Sequence, residues 1–261
     1  MNIKIYQVDA FALKAFSGNS AAVCPLEQWL DDAILHGIAM ENNLAETAFY
    51  VKQADRYQIR WITPTVEVDL CGHATLATAF VLFNYENHEG DVIYFDSIRN
   101  GELTVSRQGK LLTLNFPTDV FEEVKPEDNA ADSFNIKPRA IYKGKTDYMF
   151  VFEKEEDIAN IIPDYSVISK LDVRGIIVTA KGNEVDFVSR FFGPQSGINE
   201  DPVTGSAHTT LTPYWAKKLG KNKLSALQLS QRRGYLQCKY LGDRAEISGE
   251  CVLYMTGEIV L

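Results

Sequence analysis

The chain has 261 residues, 46% of them hydrophobic and 23% charged, so it has a globular composition and enough length to bury a substantial core. Its 26 basic and 35 acidic residues give a formal net charge of −9, which argues against a nucleic-acid partner because such proteins usually present a basic face to phosphates. The longest apolar run, near Ala74–Phe83, is too short to cross a bilayer, and a strand-like pattern begins at once with no signal peptide. We therefore expect a cytoplasmic protein with no membrane partner.

The predicted elements alternate short strands with a few helices. Apolar alternation predicts an opening strand at Ile3–Val8, and Asp31–Asp32 is typical of the start of a helix that runs to Met40. Further strands in the first half are predicted at Ala48–Val51, Tyr57–Ile62, Val92–Phe95, Leu103–Ser106 and Leu111–Phe116. The second half is predicted to hold strands at Tyr148–Phe152, Gly175–Thr179, Val185–Arg190, Ala226–Leu229, Leu236–Tyr240 and Cys251–Val260, with helices near Glu155–Ile161 and Ser206–Leu219.

The segment Gly72–Tyr85 is predicted to be a helix of an unusual kind. It reads HATLATAFVLF from His73 onward and is apolar almost all the way round. A helix at the protein surface would show a polar face. We therefore expect this helix to be buried on every side by a curved sheet.

A succession of strand, loop, acidic residue, glycine and helix occurs twice. The sequence RWITP at 60–64 is echoed by RFFGP at 190–194. An acidic residue follows each copy, Asp69 or Asp201, and then a glycine that precedes a helix, Gly72 or Gly205. The repeat indicates two similar domains facing each other across a cleft, although coincidence between two strand–helix units would give the same pattern.

A polar, proline-containing stretch at 121–133 is typical of a surface connection, so we place the domain boundary between 117 and 132. The N-terminal domain is predicted at 1–117 and the C-terminal domain at 118–261, with the last strand free to pack back on the first domain. The predicted fold class is α+β, with two pseudo-symmetric domains. Each is expected to be a strongly curved, barrel-like mixed sheet around a central apolar helix.

The cysteines and histidines do not indicate a metal site. Cys24, Cys71, Cys238 and Cys251 are widely spaced and are expected to be reduced thiols. None of the four histidines stands at a spacing typical of metal ligands. There is also no Gly-x-Gly-x-x-Gly or phosphate loop, so we expect neither a metal nor a cofactor.

Two glycines could mark a site for an anion. The start of a helix presents unpaired backbone N–H groups and the positive end of the helix dipole. Gly72 and Gly205 would supply such groups, with the hydroxyls of Thr75, Thr204 and Ser206 nearby. An ordinary tight turn would also explain either glycine.

Three further residues could carry polar chemistry. Glu46 lies where a polar loop leads into an apolar strand, although a solvated surface glutamate is the common fate of this residue type. His73 follows the glycine of the first helix and could donate a hydrogen bond or relay a proton. Asp201 could orient a substrate or anchor its loop.

Several stretches together resemble one family. They are 8–11 (VDAF), 18–23 (GNSAAV), 40–49 (MENNLAETAF), 60–64 (RWITP), 69–75 (DLCGHAT) and 197–208 (GINEDPVTGSAH). In this order and spacing they resemble the phenazine-biosynthesis PhzF-like proteins, which share the diaminopimelate-epimerase fold. One departure is Ser20, where the family often has proline, and residues 121–172 match weakly, so that section could shape a different substrate pocket.

The resemblance implies a function and a set of site residues. It implies two domains with the active site between them, and Glu46, His73 and Asp201 as the catalytic residues. It also implies that Gly72 and Gly205, with Ser206, hold the substrate carboxylate, and that the protein forms a homodimer. The expected function is a cofactor-independent isomerase that moves a carbon-bound proton in a small carboxylic acid, with a single glutamate as acid and base.

Two alternatives stay open at this point. One is a two-base epimerase or racemase of an amino acid, which needs an acid and a base on opposite faces of the substrate. Cys71 could supply one thiol, but the matching position of the repeat is Thr204, which cannot supply the other. The other alternative is a small-ligand-binding protein without catalytic activity, built on the same fold.

Overall fold

The structure, a computed structural model, describes residues 1–98, 101–125 and 130–261. The chain forms two compact units. Unit 1 comprises Met1–Asn115 together with Ser248–Leu261, and unit 2 comprises Phe116–Ile247. The predicted polar connection at 121–133 begins within unit 2, and its residues 126–129 lie outside the described residues. Within the described parts of the chain, none of the helices combines the length and apolar character needed to span a membrane.

Unit 1 is a mixed sheet with two helices. In chain order its elements are β1 Asn2–Ala10, β2 Asn19–Leu26, α1 Asp32–Asn42, β3 Glu46–Gln53, β4 Arg56–Ile62, β5 Glu67–Val68, α2 Gly72–Asn84, β6 Val92–Ser97, β7 Gly101–Gln108 and β8 Leu111–Pro117. The pairs β2–β3 and β4–β6 are parallel, and a helix connects the two strands of each pair, as a parallel connection requires. The remaining pairs β1–β2, β3–β4, β4–β5, β6–β7 and β7–β8 are antiparallel.

Unit 2 contains most of the elements that follow β8 in the chain. They are β9 Glu122–Glu123, β10 Ala140–Lys143, β11 Asp147–Val151, α3 Glu155–Asn160, α4 Tyr165–Ile168, β12 Gly175–Lys181, β13 Phe187–Gly193, β14 Ile198–Asp201, α5 His208–Leu219, β15 Lys223–Gln228, β16 Gly234–Tyr240, β17 Arg244–Gly249 and β18 Cys251–Val260. Short 3₁₀ turns lie at Ala130–Asp132 and Pro194–Ser196. The last strand, β18, pairs antiparallel with β1 and lies in unit 1.

The order of pairings in unit 2 repeats that of unit 1. The pair β11–β12 is parallel with α3 and α4 between its strands, and β13–β15 is parallel with α5 between its strands. The pairs β10–β11, β12–β13, β13–β14 and β15–β16 are antiparallel, like their counterparts β1–β2, β3–β4, β4–β5 and β6–β7. The predicted α+β class is confirmed.

The repeat extends to side chains. Arg60 on β4 forms two parallel hydrogen bonds with Glu67 on β5, both 2.8 Å long. Arg190 on β13 does the same with Glu200 on β14, at 2.7 and 2.9 Å. Each guanidinium also lies near an aromatic ring, Trp29 for Arg60 and Phe192 for Arg190. Because strand pairings and side-chain contacts recur together, the sequence echo at 60–64 and 190–194 marks a real internal repeat.

The helix α2 is buried as predicted. It packs against β1, β2, β3, β7 and β18, and all its residues from His73 to Phe83 except Phe80 are buried. A helix surrounded by strands has no face in water, which explains why its sequence lacks a polar side. Its counterpart α5 is less apolar, because Lys217 and Lys218 are exposed while residues such as Leu211 and Trp215 are buried.

The predicted start of α1 is confirmed, with Asp31 at the N-cap position, although its side chain makes no capping hydrogen bond. The helix predicted near Ser206–Leu219 begins two residues later, at His208, because the preceding turn has tight hydrogen bonds from His208 N to Gly205 O and from Thr209 N to Ser206 O. The strand β2 was not predicted, because its small residues are buried between β1 and β3 and show no alternation.

We expect Leu76→Ala to destabilise the protein by about 2–5 kcal/mol, since the Leu76 side chain in α2 is fully buried and truncation leaves a cavity. The free energy of unfolding from urea titration would measure the effect. Asn84→Ala, at the exposed end of the same helix, is the matched control and should cost less than about 1 kcal/mol. Equal losses in both variants would contradict the central position of α2.

Candidate active site

The turn before β2 fixes the position of Asn19. Gly18 has φ +70°, and a Cβ at this residue would lie 2.2 Å from the carbonyl oxygen of Ala10, so only glycine fits. Asn19 then begins β2 and is buried. Ser20, where the resembling family often has proline, donates a short hydrogen bond from its hydroxyl to the carboxylate of Asp9.

Glu46 is positioned by the end of α1 and by the sheet. The helix ends at Asn43, which adopts a left-handed conformation with φ 48° and donates its N–H to Ala39 O over 3.1 Å. The chain then enters β3 at Glu46, which pairs in parallel with Ala21 of β2. Glu46 is therefore part of the sheet, and only 9% of its surface is exposed.

The start of α2 places His73 beside Glu46. Cys71 is the N-cap residue in extended conformation, and Gly72 opens the helix as the sequence predicts. The hydroxyl of Thr75 donates to Cys71 O over 2.6 Å, which fixes the first turn. Thr75 is fully buried and its hydroxyl hydrogen is used in this way, and its role in substrate binding stays a prediction.

Glu46 and His73 meet inside unit 1. Glu46 Oε2 lies 3.0 Å from His73 Nε2, and both side chains are almost fully buried. Among the described residues this carboxylate oxygen has no well-aligned hydrogen bond, so the ion pair with His73 is what compensates its burial. A buried charge that depends on one ionic partner is costly, and functional sites are where such groups are retained.

The other ring nitrogen of His73 faces two polar neighbours. Asn19 Nδ2 lies 3.2 Å from His73 Nδ1, and Cys71 Sγ lies 3.5 Å from the same atom. These contacts hold the ring in place and leave Nε2 directed towards Glu46. The cluster of Glu46, His73, Asn19 and Cys71 therefore forms one buried group in unit 1.

The ionisation of this cluster is shifted by its surroundings. Burial raises the pKa of the Cys71 thiol to about 11, so the thiol is uncharged near neutral pH. Burial opposes a charge on His73, but the adjacent Cys71 and Glu46 favour one, and the net effect raises the pKa of His73 well above its ordinary value. Since the Cys71 thiol keeps its proton, the Glu46 carboxylate is the group that stabilises a protonated His73.

The same cluster contains the kinds of atoms that bind metals. Glu46, Cys71 and His73 each offer one ligand atom, and these atoms lie within 4.8 Å of one another. A thiolate is the form that binds a metal, so a metal here would have to displace the Cys71 proton. The absence of a metal stays a prediction.

The predicted residues of unit 2 form a second group around one turn. The Thr204 hydroxyl donates to Asp201 Oδ2 over 2.5 Å, and Gln228 accepts from Thr204 N over 2.9 Å while donating to Asp201 O over 2.8 Å. His208 Nδ1 lies 2.8 Å from Thr204 O, so this nitrogen donates to the carbonyl. Gly205 and Ser206 lie within this turn, Gly205 buried and Ser206 half-buried.

Unit 2 also contains a polar contact that sequence analysis missed. Arg174, which precedes β12, donates from Nη1 to Ser206 Oγ over 3.0 Å. The buried Asp147 holds the same guanidinium through two hydrogen bonds. No motif pointed to either residue: Asp147 lies in the section 121–172, which matches the resembling family weakly, and Arg174 lies in none of the matching stretches.

Comparisons with known proteins identify the family. A sequence model described as "Phenazine biosynthesis-like protein" matches residues 8–257. An "Uncharacterized isomerase" of Pseudomonas aeruginosa is 50% identical over 261 residues, covering 100% of both chains. The chain belongs to the phenazine biosynthesis-like family.

Solved structures agree with this membership. A PhzF family protein from Enterococcus faecalis superposes with a TM-score of 0.97 at 47% sequence identity, and the match covers 100% of both chains. A hydroxyproline epimerase from Agrobacterium vitis matches with a TM-score of 0.62 at 8% identity, covering 99% of this chain and 92% of its own, which shows the shared fold alone. The names of the relatives confirm the predicted enzyme class, an isomerase.

The residues predicted for this PhzF-like chain thus fall into two groups. Glu46, His73 and Gly72 lie together in unit 1, and Asp201, Thr204, Gly205 and Ser206 lie together in unit 2. The sequence analysis did not single out Asn19 or Gln228, although Asn19 lies within the quoted GNSAAV motif. The signal that could have identified Asn19 is that this polar residue directly follows Gly18, a glycine with a restricted conformation.

We expect Glu46→Gln to lower the pKa of His73, because an amide no longer stabilises the imidazolium. In the wild-type protein the protonated His73 adds stability that is fully present below its unfolded pKa of 6.5 and is lost as pH rises through the raised folded pKa. NMR titration of the imidazole signals measures the pKa of His73 in the wild-type protein and in Glu46→Gln. His208, whose pKa burial lowers to about 4, is the internal control and should not respond, and an unchanged His73 pKa would contradict the proposed contact.

Proposed function

We propose that the protein is a cofactor-independent isomerase that moves a carbon-bound proton within a small carboxylic acid, with Glu46 as its acid and base. The observation that carries this proposal is the buried ion pair in which Glu46 Oε2 lies 3.0 Å from His73 Nε2. A carboxylate held in a fixed place by an imidazole, out of water, is a group that can take up a proton and return it.

The proposed reaction needs only groups that the chain and the substrate supply. Glu46 removes a proton from carbon as the C–H bond breaks, and the electron pair moves into the unsaturated system of the substrate. The protonated Glu46 then returns the proton to a different carbon, and the double bond shifts accordingly. His73 stabilises the charge that develops and keeps Glu46 in position, so no oxidant or reductant takes part.

The proposal assigns substrate binding to both groups of residues. The backbone at Gly72 would bind part of the substrate next to Glu46. Asp201, Thr204, Gly205 and Ser206 would bind its polar groups, with Ser206 contacting the carboxylate. The structural support is that these four residues share one turn, whose shape is fixed by Gln228 through hydrogen bonds to Thr204 and Asp201.

The two-base alternative receives less support. The repeat aligns Cys71 with Thr204, which is not a thiol, and the Thr204 hydroxyl already donates to Asp201. Cys71 itself is 5% exposed and keeps its proton near neutral pH, because burial raises its pKa to about 11. Its position beside His73 fits a supporting role.

We expect Glu46→Gln to lower the rate of substrate-dependent hydrogen exchange by about 10²–10⁴-fold, the usual contribution of a positioned acid–base group. Proton NMR in deuterated water would follow carbon-bound deuterium in small unsaturated acids and amino acids, including dihydro-hydroxyanthranilate. Glu41→Gln removes an exposed carboxylate nearby and is the matched control, with activity close to wild type.

Each outcome of this exchange experiment bears on the proposal. Exchange lost in Glu46→Gln but kept in Glu41→Gln supports Glu46 as the proton carrier. Exchange that survives Glu46→Gln means that another residue is the base. Binding of a compound without any exchange favours the ligand-binding protein, the third function considered from the sequence.

We expect Cys71→Ser to keep activity within about tenfold of wild type, because the serine oxygen can accept a hydrogen bond from His73 Nδ1 while no thiol base remains. The same exchange assay measures this variant. A loss as large as that of Glu46→Gln would favour the two-base mechanism.

A further inference from the structure

The internal repeat assigns a counterpart to each residue of the Glu46 cluster. Trp61 pairs with Val68 in unit 1 as Phe191 pairs with Asp201 in unit 2, so the copies are 130 residues apart on the first strand of this hairpin and 133 residues apart from the second strand onward, because the hairpin of unit 2 is three residues longer. His73 therefore corresponds to Ser206. A hydrogen bond that occurs in both copies supports this alignment. In unit 1 the Thr75 hydroxyl donates to Cys71 O, and in unit 2 the corresponding residue, His208, donates from Nδ1 to Thr204 O.

The counterpart of Glu46 follows from the strand pairings. Thr47 pairs with Ile62 in unit 1, and Ile176 pairs with Phe192 in unit 2, which aligns Glu46 with Gly175. Unit 2 thus lacks a carboxylate at this place. The side chain that reaches Ser206 instead comes from the preceding residue, Arg174, over 3.0 Å, the same distance as from Glu46 to His73. The two units therefore place groups of opposite charge, a carboxylate in unit 1 and a guanidinium in unit 2, against corresponding residues of the following turn.

Arg174 is held in a fixed orientation. Nε and Nη2 donate to the two oxygens of Asp147 over 2.9 and 2.5 Å, and Asp147 is 4% exposed. The guanidinium lies 5.2 Å from the ring of Phe191, and 37% of the Arg174 side chain remains exposed. A guanidinium has five N–H donors, so two remain available once Asp147 and Ser206 are bound.

Ser206 is left as a donor by this arrangement. Its Oγ accepts from Arg174, and within the described parts of the chain its own hydroxyl hydrogen has no acceptor. The half-buried Ser206 hydroxyl and the two remaining N–H groups of Arg174 are hydrogen-bond donors, next to a guanidinium that also interacts electrostatically with the carboxylates of Asp201 and Asp119. Such a set matches the planar, acceptor-only carboxylate group, which guanidinium groups bind through paired hydrogen bonds.

We propose that Arg174, oriented by Asp147, is a specificity-determining residue that binds the substrate carboxylate together with Ser206. The inference rests on the proposed function, since it assumes that the substrate of this isomerase is a carboxylic acid. It adds to that function the group that would distinguish an acid from its amide or ester.

The test compares binding of two simple probes, anthranilate and its neutral analogue anthranilamide, by isothermal titration calorimetry. Wild type is expected to prefer anthranilate by tenfold or more, as hydrogen bonds to a charged group would give. Arg174→Gln should abolish the preference, and Arg174→Lys should keep part of it. Lys239→Gln removes a cation from the same unit without touching Ser206 and should behave as wild type.

The variant Ser206→Ala tests whether a loss of preference in Arg174→Gln comes from altered binding or from a loss of folding stability. Arg174→Gln leaves the buried Asp147 without its partner and could destabilise unit 2, whereas Ser206→Ala leaves the Arg174–Asp147 pair intact. We expect Ser206→Ala to reduce the preference at least about threefold with unchanged thermal stability. No preference in wild type, or a preference that is unchanged in Arg174→Gln, would overturn the inference.

The result is separable from the proposed reaction. Glu46→Gln should abolish hydrogen exchange but keep the preference for anthranilate. If exchange survives Glu46→Gln while Arg174→Gln loses the preference, the assigned base is wrong and the carboxylate subsite stands. If exchange is lost in Glu46→Gln but Arg174→Gln keeps the preference, the base stands and the Arg174 subsite is wrong.

Discussion

The contact between Glu46 and His73 depends on one constraint, the burial of α2 among strands of unit 1. Because α2 packs against β1, β2, β3, β7 and β18, its first turn cannot move independently of the sheet. The parallel pairing of β2 with β3 then brings Glu46 to this turn. A carboxylate and an imidazole are thereby kept together out of water, where each affects the charge of the other more strongly than at the surface.

The two units use one scaffold for two kinds of chemistry. Both have a hairpin closed by an arginine–glutamate pair, and a turn whose carbonyl accepts a hydrogen bond from the residue four positions later. At the point where the strand meets this turn, unit 1 has Glu46 against His73 and unit 2 has Arg174 against Ser206. The side chains at this point differ in charge between the two units, while the supporting arginine–glutamate pairs are the same.

Much of the fold could be predicted because it depends on local patterns. The apolar sequence of α2 indicated a helix with no exposed face, and the echo at 60–64 and 190–194 indicated a repeat. The start of α5 was misplaced because Gly205 opens a tight turn, and which residue begins the regular helix is decided by hydrogen bonds. The strand β2 was missed because small residues buried on both sides have no alternation to detect.

The sequence by itself determined the family, the class of enzyme, and most of the candidate residues, since motif order and residue chemistry are written along the chain. Only the tertiary structure showed that Glu46 forms a buried ion pair with His73, that Asn19 and Cys71 face His73, and that Thr75 supports a helix turn. Arg174 likewise became visible only through its contacts with Asp147 and Ser206, which lie 27 and 32 residues away in the chain. The physical reason is that burial and hydrogen-bond partners are set by neighbours in space, and residue type and order along the chain do not specify those neighbours.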